Sequence, residues 1–197
     1  TSLWEAKWLI NSFLSPVKIF TTPWGTSEVF NTSAKEILTI GFSSEDKTSL
    51  LARQIADSSS TGTTILLSGE IGAGKTFFAR KYIQKLLSKH GIIEDIPSPT
   101  YTLVQTYQTP DSEIWHADLY RLPSTDDITE LGLSEAFGNE ICIVEWPEKL
   151  KNYLPANAIY INFKYHSDTA RICNIMCHDE EIMNGLKLII KKFKNEL

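Results

Sequence analysis

Apolar and polar positions along the chain change period several times, and each change marks an element. Ile37-Leu38-Thr39-Ile40 is a short apolar run that predicts a strand. Ser43 or Ser44 then offers a capping hydroxyl to a helix running to about Asp57, with Leu50, Leu51 and Ile55 on one face. Turn formers fill Ser58 to Gly62. The β-branched and apolar run from Thr63 to Leu67 predicts a buried strand. A glycine-rich loop follows, then a helix from about Lys75 to Lys89, stopped by His90-Gly91.

In the second half, Tyr101 to Tyr107 and Glu113 to Asp118 predict a strand pair around the turn Gln108-Thr109-Pro110-Asp111-Ser112. Asp126 to Phe137 reads as short helical pieces broken at Gly132. Ile141-Cys142-Ile143-Val144 is a second fully apolar strand, and Ile159 to Tyr165 and Ala170 to Cys177 are late strands. Ile182, Leu186, Ile189, Ile190 and Phe193 recur at helical spacing, with Lys187, Lys191, Lys192 and Lys194 between them. That pattern predicts a closing amphipathic helix with its lysines near the negative end of the helix dipole. The order of elements predicts an α/β fold in three layers, a mixed central sheet flanked by helices.

Residues 1 to 34 break this regularity. They hold Trp4, Trp8, Trp24, Pro16 and Pro23 without a period, and are expected to form a loosely attached N-terminal extension to a domain spanning 35–197. The stretch from Trp4 to Leu14 is interrupted by Glu5, Lys7, Asn11 and Ser12 and has neither a basic start nor a small-residue cleavage site, so it does not read as a signal peptide. The chain opens at Thr1, which leaves its true start open.

Length and charge narrow the class. With 197 residues, 42% hydrophobic and 22% charged, the chain is globular and large enough to bury a core without disulfides or metals. A net charge of -5 supplies no bulk basic field for unaided binding to a nucleic-acid backbone. Cys142, Cys173 and Cys177 are too few for a disulfide framework, and the expectation is a reducing, cytoplasmic location. Cys173, Cys177, His166 and His178 do not have the spacing of a zinc site. No run reaches the ~18 apolar residues of a membrane span, so no membrane partner is expected.

The chemistry concentrates in Gly69-Glu70-Ile71-Gly72-Ala73-Gly74-Lys75-Thr76, which fits G-x-x-x-x-G-K-[ST] in full. Glycines let the backbone approach an anion closely, and the amides of Glu70, Ile71, Gly72, Ala73 and Gly74 would cradle phosphates. Lys75 would reach the β/γ-phosphates and the Thr76 hydroxyl would bind Mg²⁺, with the positive end of the next helix facing the anion. A buried strand before the loop and a long helix after it supply the context the motif needs. Nucleotide phosphates and Mg²⁺ are therefore expected there.

Such a loop needs an acid at the end of a neighbouring strand. Glu145 directly follows the run Ile141 to Val144, and Asp118 ends Ile114 to Ala117. One would hold the metal and the other orient the attacking water; the sequence leaves that division open. His116, two residues before Asp118, shares its strand face and would order the acid or the pocket, or simply pack. Ser98 and Thr100 lie where a γ-phosphate sensor or a Pro97-Ser98-Pro99 turn would lie. Arg80 and Arg121 are candidates to neutralise transition-state charge, or else ordinary surface residues.

Four blocks in order, the phosphate loop, Ser98-Pro99-Thr100-Tyr101-Thr102-Leu103-Val104, His116-Ala117-Asp118-Leu119-Tyr120-Arg121-Leu122 and Ile141-Cys142-Ile143-Val144-Glu145-Trp146-Pro147, resemble the TsaE (YjeE) family of P-loop ATPases, over about Ile37 to Cys177. The resemblance implies a small P-loop NTPase-like fold, ATP as the nucleotide, and a weak Mg-ATPase acting in synthesis of the tRNA modification threonylcarbamoyladenosine. It implies docking on a transferase of the TsaD type with a TsaB-type partner, tRNA being met only through that complex. Carried over by motif, Thr76 and Glu145 would hold Mg²⁺, Lys75 and Asp118 would support hydrolysis, Trp146 would sit near the nucleotide and partner surface, and Thr48 would lie near the base. Phe77 departs from the second threonine of many members, which leaves the metal-binding hydroxyl of Thr76 in place.

An alternative from another class is a small-molecule or nucleoside kinase, in which the downstream acid serves as base on an acceptor hydroxyl. Its usual arginine-rich lid is missing, since Arg53, Arg80, Arg121 and Arg171 are widely scattered. A third reading is a nucleotide-dependent interaction module without useful hydrolysis.

Overall fold

The structure is a computed structural model that describes residues 36–123, 127–167 and 170–195. The expected extension, residues 1–34, lies outside the described residues. In chain order the elements are β1 (Leu38–Phe42), α1 (Glu45–Asp57), β2 (Thr64–Gly69), α2 (Lys75–Ser88), β3 (Val104–Gln108), β4 (Glu113–Asp118), the short α3 (Asp127–Glu130) and α4 (Leu133–Ala136), β5 (Ile141–Glu145), β6 (Ile159–Tyr165), β7 (Arg171–Met176) and α5 (Glu180–Asn195). Two single 3₁₀ turns, Pro147–Lys149 and Lys151–Tyr153, follow β5.

The strands form one mixed sheet in the order β1-β7-β6-β2-β5-β4-β3. Its centre is parallel: β2 lies between β5 and β6, and β4 pairs β5. β3 closes one edge antiparallel to β4, and β7 and β1 close the other antiparallel to β6 and to each other. Parallel strands buried on both faces explain why β2 and β5 read as continuous apolar runs.

Alternate residues divide the core. Ile65 and Leu67 of β2, with Ile143, Ile161, Phe163 and Ile175, face Leu51, Ile55, Phe78, Tyr82, Leu186 and Phe193 of α1, α2 and α5. Leu66, Val144 and Ala117 face the other way, against Ile128 and Leu133 of the short helices and Leu119, Leu122 and Leu150 of the connecting segments. The sheet therefore lies between a thick helical layer and a thin one, the mixed α/β architecture expected from the pattern.

Local signals set most boundaries. Ser44 caps α1, its hydroxyl accepting from the Lys47 amide at 3.4 Å. Gly132 takes φ 74° between α3 and α4, which is why that segment breaks there. The strand expected from Tyr101 starts only at Val104, because the Leu103 amide donates to the Pro99 carbonyl at 2.7 Å and Leu103 adopts φ 64°. That turn puts the Leu103 carbonyl where the Asp118 amide donates to it at 2.9 Å, tying the Ser98–Thr100 segment to the end of β4.

Candidate active site

Three neighbouring parallel strands, β2, β5 and β4, end on the same side of the sheet, where ligands of open α/β sheets bind. β2 runs into the glycine-rich loop, and α2 starts at Lys75 with Gly74 as its N-cap at φ 108°. A Cβ on Gly74 would meet nothing within 4 Å, so the space before the helix end is open and its unpaired amides border it. Gly69 is held differently: a Cβ there would sit 2.3 Å from the Phe163 carbonyl oxygen of β6. On the outer side of the loop the Tyr165 hydroxyl donates to the Ile71 carbonyl at 3.0 Å and lies against Gly72. Ile71 itself is 67% exposed, whereas Ala73 is buried, its amide donating to the Glu70 carbonyl at 3.2 Å.

Lys75 is buried and folds back over the loop. Its ammonium donates to the Gly69 carbonyl at 2.7 Å and the Glu70 carbonyl at 2.9 Å, and lies 3.9 Å from the centre of the Trp146 ring. Burial pulls the Lys75 pKa down, and the carboxyl groups of Glu145, Glu148 and Asp118 oppose that shift. Trp146 reaches this position because its backbone turns left-handed at φ 59° directly after β5, while its amide still donates to the Leu67 carbonyl at 3.1 Å. Its ring also contacts that of Tyr120, with centroids 5.0 Å apart.

The two acids are register partners at the ends of β4 and β5. Glu145 is buried, and each of its carboxyl oxygens has one partner. The Thr76 hydroxyl donates to Oε2 at 2.7 Å, and His116 Nε2 lies 3.0 Å from Oε1. Asp118 is also buried. Oδ2 accepts from the Thr100 hydroxyl at 2.6 Å, Oδ1 from the Tyr120 amide at 3.0 Å, and Ser98 Oγ lies 2.8 Å from Thr100 Oγ1.

The donor set suits a small hard cation. Thr76 Oγ1 and Glu145 Oε2 are 2.7 Å apart, close to the ~2.9 Å that separates adjacent oxygens around Mg²⁺ at ~2.0–2.1 Å. Among the described residues no group of three or more His, Cys, Asp or Glu could hold a metal ion. Two protein oxygens, with phosphate and water oxygens for the rest, is the way Mg²⁺ is usually held. Asp118 keeps an unused lone pair on each oxygen, so it can accept from a water molecule without losing its supports.

The structure thus brings Glu70, Ile71, Gly72, Ala73, Gly74, Lys75, Thr76, Asp118, Glu145 and Trp146 to one end of the sheet. Thr48 lies in the first turn of α1, which follows the end of β1, a strand parallel to β2, and its hydroxyl is 3.5 Å from the Ser44 carbonyl. His116 orders an acid, but the acid is Glu145 on the neighbouring strand. Arg80 donates to the Ile96 carbonyl at 2.8 Å, and the Arg121 guanidinium stacks 4.6 Å from the Tyr101 ring. Sequence reasoning passed over Glu148, an acid in the turn after Trp146-Pro147, whose carboxyl burial pushes up in pKa. An acid three residues beyond the strand-end Glu145, in a turn opened by proline, was its signal.

Comparison with known proteins identifies the family. Residues 42–173 match the family model described as threonylcarbamoyl adenosine biosynthesis protein TsaE. The chain is 42% identical over 132 residues to the tRNA threonylcarbamoyladenosine biosynthesis protein TsaE of Rickettsia bellii, which covers 67% of this chain and 90% of that one. It is 32% identical over 127 residues to the protein of the same name from Bacillus subtilis, covering 64% of this chain and 77% of the other. Among solved structures, that of YdiB from Bacillus subtilis superposes with a TM-score of 0.60 at 21% identity, covering 82% of this chain and 96% of that one, a likeness of fold.

Proposed function

The chain belongs to the TsaE family, and from that premise we propose that it is a Mg-dependent ATPase that serves a threonylcarbamoyl transferase complex modifying tRNA adenosine. The family's work is in tRNA threonylcarbamoyladenosine biosynthesis. The observation that carries the ATPase reading is the Thr76–Glu145 oxygen pair, 2.7 Å apart beside the phosphate loop with buried Asp118 on the adjacent strand. In this reading the loop amides and Lys75 bind the phosphates, and Lys75 exchanges its contacts with the Gly69 and Glu70 carbonyls for phosphate oxygens. Thr76 and Glu145 would hold Mg²⁺, which would supply positive charge to offset that of the phosphates. Asp118, steadied by Thr100 and the Tyr120 amide, orients the attacking water. Trp146 covers Lys75 and screens the site from solvent.

The partners in this reading are a TsaD-type transferase and a TsaB-type protein, with tRNA met only through them, and the location is cytoplasmic. The three free, buried cysteines fit a reducing compartment. No helix among the described residues is long and apolar enough to cross a membrane. An acceptor-phosphorylating kinase is less well supported, because Arg80, Arg121 and Arg171 are each engaged locally and form no lid.

The test is Mg-ATP hydrolysis by the purified chain, alone and with the transferase pair. Slow turnover that changes when the pair is added, and its loss in Lys75→Ala, is expected. Tight ATP binding with no response to the pair would overturn the assignment and call for a screen of acceptor hydroxyls.

A further inference from the structure

We infer that His116 is a positioning residue: its ring fixes the rotation of the Glu145 carboxyl so that one oxygen is committed to the protein and the other is presented beside Thr76. This rests on the metal-holding role proposed for Glu145 and deepens it.

The strand register explains how a histidine two residues short of the site can act there. Asp118 pairs with Glu145, and His116 with Ile143, so His116 sits one step behind the two acids on β4. Its side chain reaches forward across the strand gap to the last residue of β5. Both side chains are enclosed, at 0% and 1% exposure, so water is not on hand to replace the contact.

The duties of the two Glu145 oxygens are separate. Oε1 faces His116 Nε2 at 3.0 Å, and Oε2 accepts from the Thr76 hydroxyl at 2.7 Å. An ionised Glu145 would accept at Oε1 from a proton on Nε2. The terminal torsion of a glutamate is broad and roughly two-fold, so without an anchor on Oε1 the carboxyl would sample orientations that pull Oε2 off the Thr76 side. Outer partners of this kind hold metal-ligating groups in place elsewhere in protein chemistry.

A purely structural account fits less well. His116 Nδ1 is buried without a partner among the described residues, so the ring meets Glu145 at the cost of an orphaned nitrogen. A residue kept there for packing alone would be better apolar.

The experiment measures Mn²⁺ binding by electron paramagnetic resonance on the full chain with a non-hydrolysable ATP analogue. His116→Gln places a donor at about the reach of Nε2. His116→Asn has the same amide one bond too short. Expected is a loss of Mn²⁺ affinity of about tenfold or more in His116→Asn, with most of it recovered in His116→Gln. Binding of the analogue in EDTA should be the same for all three chains. Should His116→Asn fail to fold, His116→Met, close in volume and without a donor, makes the same comparison with His116→Gln. Equal Mn²⁺ affinity in the donor and donor-less variants overturns the positioning role. If the unmodified chain shows no nucleotide-dependent Mn²⁺ site, the metal-holding role of Glu145 falls and this inference falls with it, an outcome distinct from the first.

Discussion

Two alanine substitutions in the phosphate loop separate backbone strain from collision. Gly69 and Gly74 have φ of +129° and +108°. An L residue in such a conformation costs about 1–3 kcal/mol. Replacing glycine also restricts the unfolded chain, which returns about 0.4–1 kcal/mol. Strain alone therefore predicts a loss of about 1–2 kcal/mol at either position.

Their surroundings split the pair. A Cβ at position 74 meets nothing within 4 Å, while one at position 69 lies 2.3 Å from the Phe163 carbonyl oxygen and 3.1 Å from its carbon. Phe163 is the register partner of Gly69 across the β2–β6 seam, so this oxygen cannot swing aside as a flexible side chain would. Forcing such a contact adds about 1–3 kcal/mol. One kcal/mol moves Tm by about 2–4 °C in a domain of this size. Gly74→Ala should thus lower Tm by about 5 °C and Gly69→Ala by about 10 °C, followed by circular dichroism on the nucleotide-free chain. The milder variant should still lose ATP affinity, because its new Cβ enters the open space before α2. Equal Tm losses, or a larger one at Gly74, would refute the reasoning.

Other predictions concern charge. Lys75→Ala should abolish ATP binding or turnover, and normal hydrolysis would sink the phosphate-loop assignment. Glu145→Ala should shift the Mg²⁺ titration of ATPase activity to higher concentration; an unchanged titration would transfer the metal role to Asp118. Burial raises the Glu148 pKa above the ordinary 4.5, so the native state holds that proton more tightly than the unfolded chain. This penalty is absent below the unfolded value and grows as pH rises through it toward the raised one. Glu148→Gln should therefore gain in Tm over the unmodified chain as pH goes from 4 to 7, and a pH-independent difference would count against the burial of that carboxyl.

Much of this site was written locally in the chain. The loop, the strand before it and the helix after it are contiguous, so Thr64–Gly69 and Lys75–Ser88 follow from a run of apolar residues, a glycine string and a 3.6 period. Glu145 and Asp118 were legible because each ends its own strand. What could not be read is what depends on strand neighbours. That His116 serves Glu145 requires β4 beside β5 in one register, and no spacing within either segment specifies it. Tyr165 against Ile71 requires β6 to lie beside β2, 94 residues apart at the contact. Leu103 was misplaced in a strand because a leucine with positive φ has no sequence signature; only the Pro99 turn forces it.

The charge balance of the site predicts that this chain binds nucleotide more tightly with a divalent cation than without one. One ammonium, Lys75, faces the carboxyl groups of Glu145, Glu148 and Asp118, all three near enough to act on its pKa. Burial sharpens these interactions, because little solvent screens them. A nucleotide without a cation would add phosphate charge to a pocket already richer in acids than in bases. Lys75 could meet it only by leaving the Gly69 and Glu70 carbonyls and the Trp146 face. A divalent cation held by Thr76 and Glu145 would reverse that balance where those two oxygens lie 2.7 Å apart. On this account a preference for Mg-ATP over metal-free ATP would come from the acids rather than from the loop. Glu145→Gln with Glu148→Gln should then raise the affinity for metal-free ATP while lowering that for Mg-ATP, and a parallel fall in both, read by titration in EDTA and in Mg²⁺, would place the dependence in the loop instead.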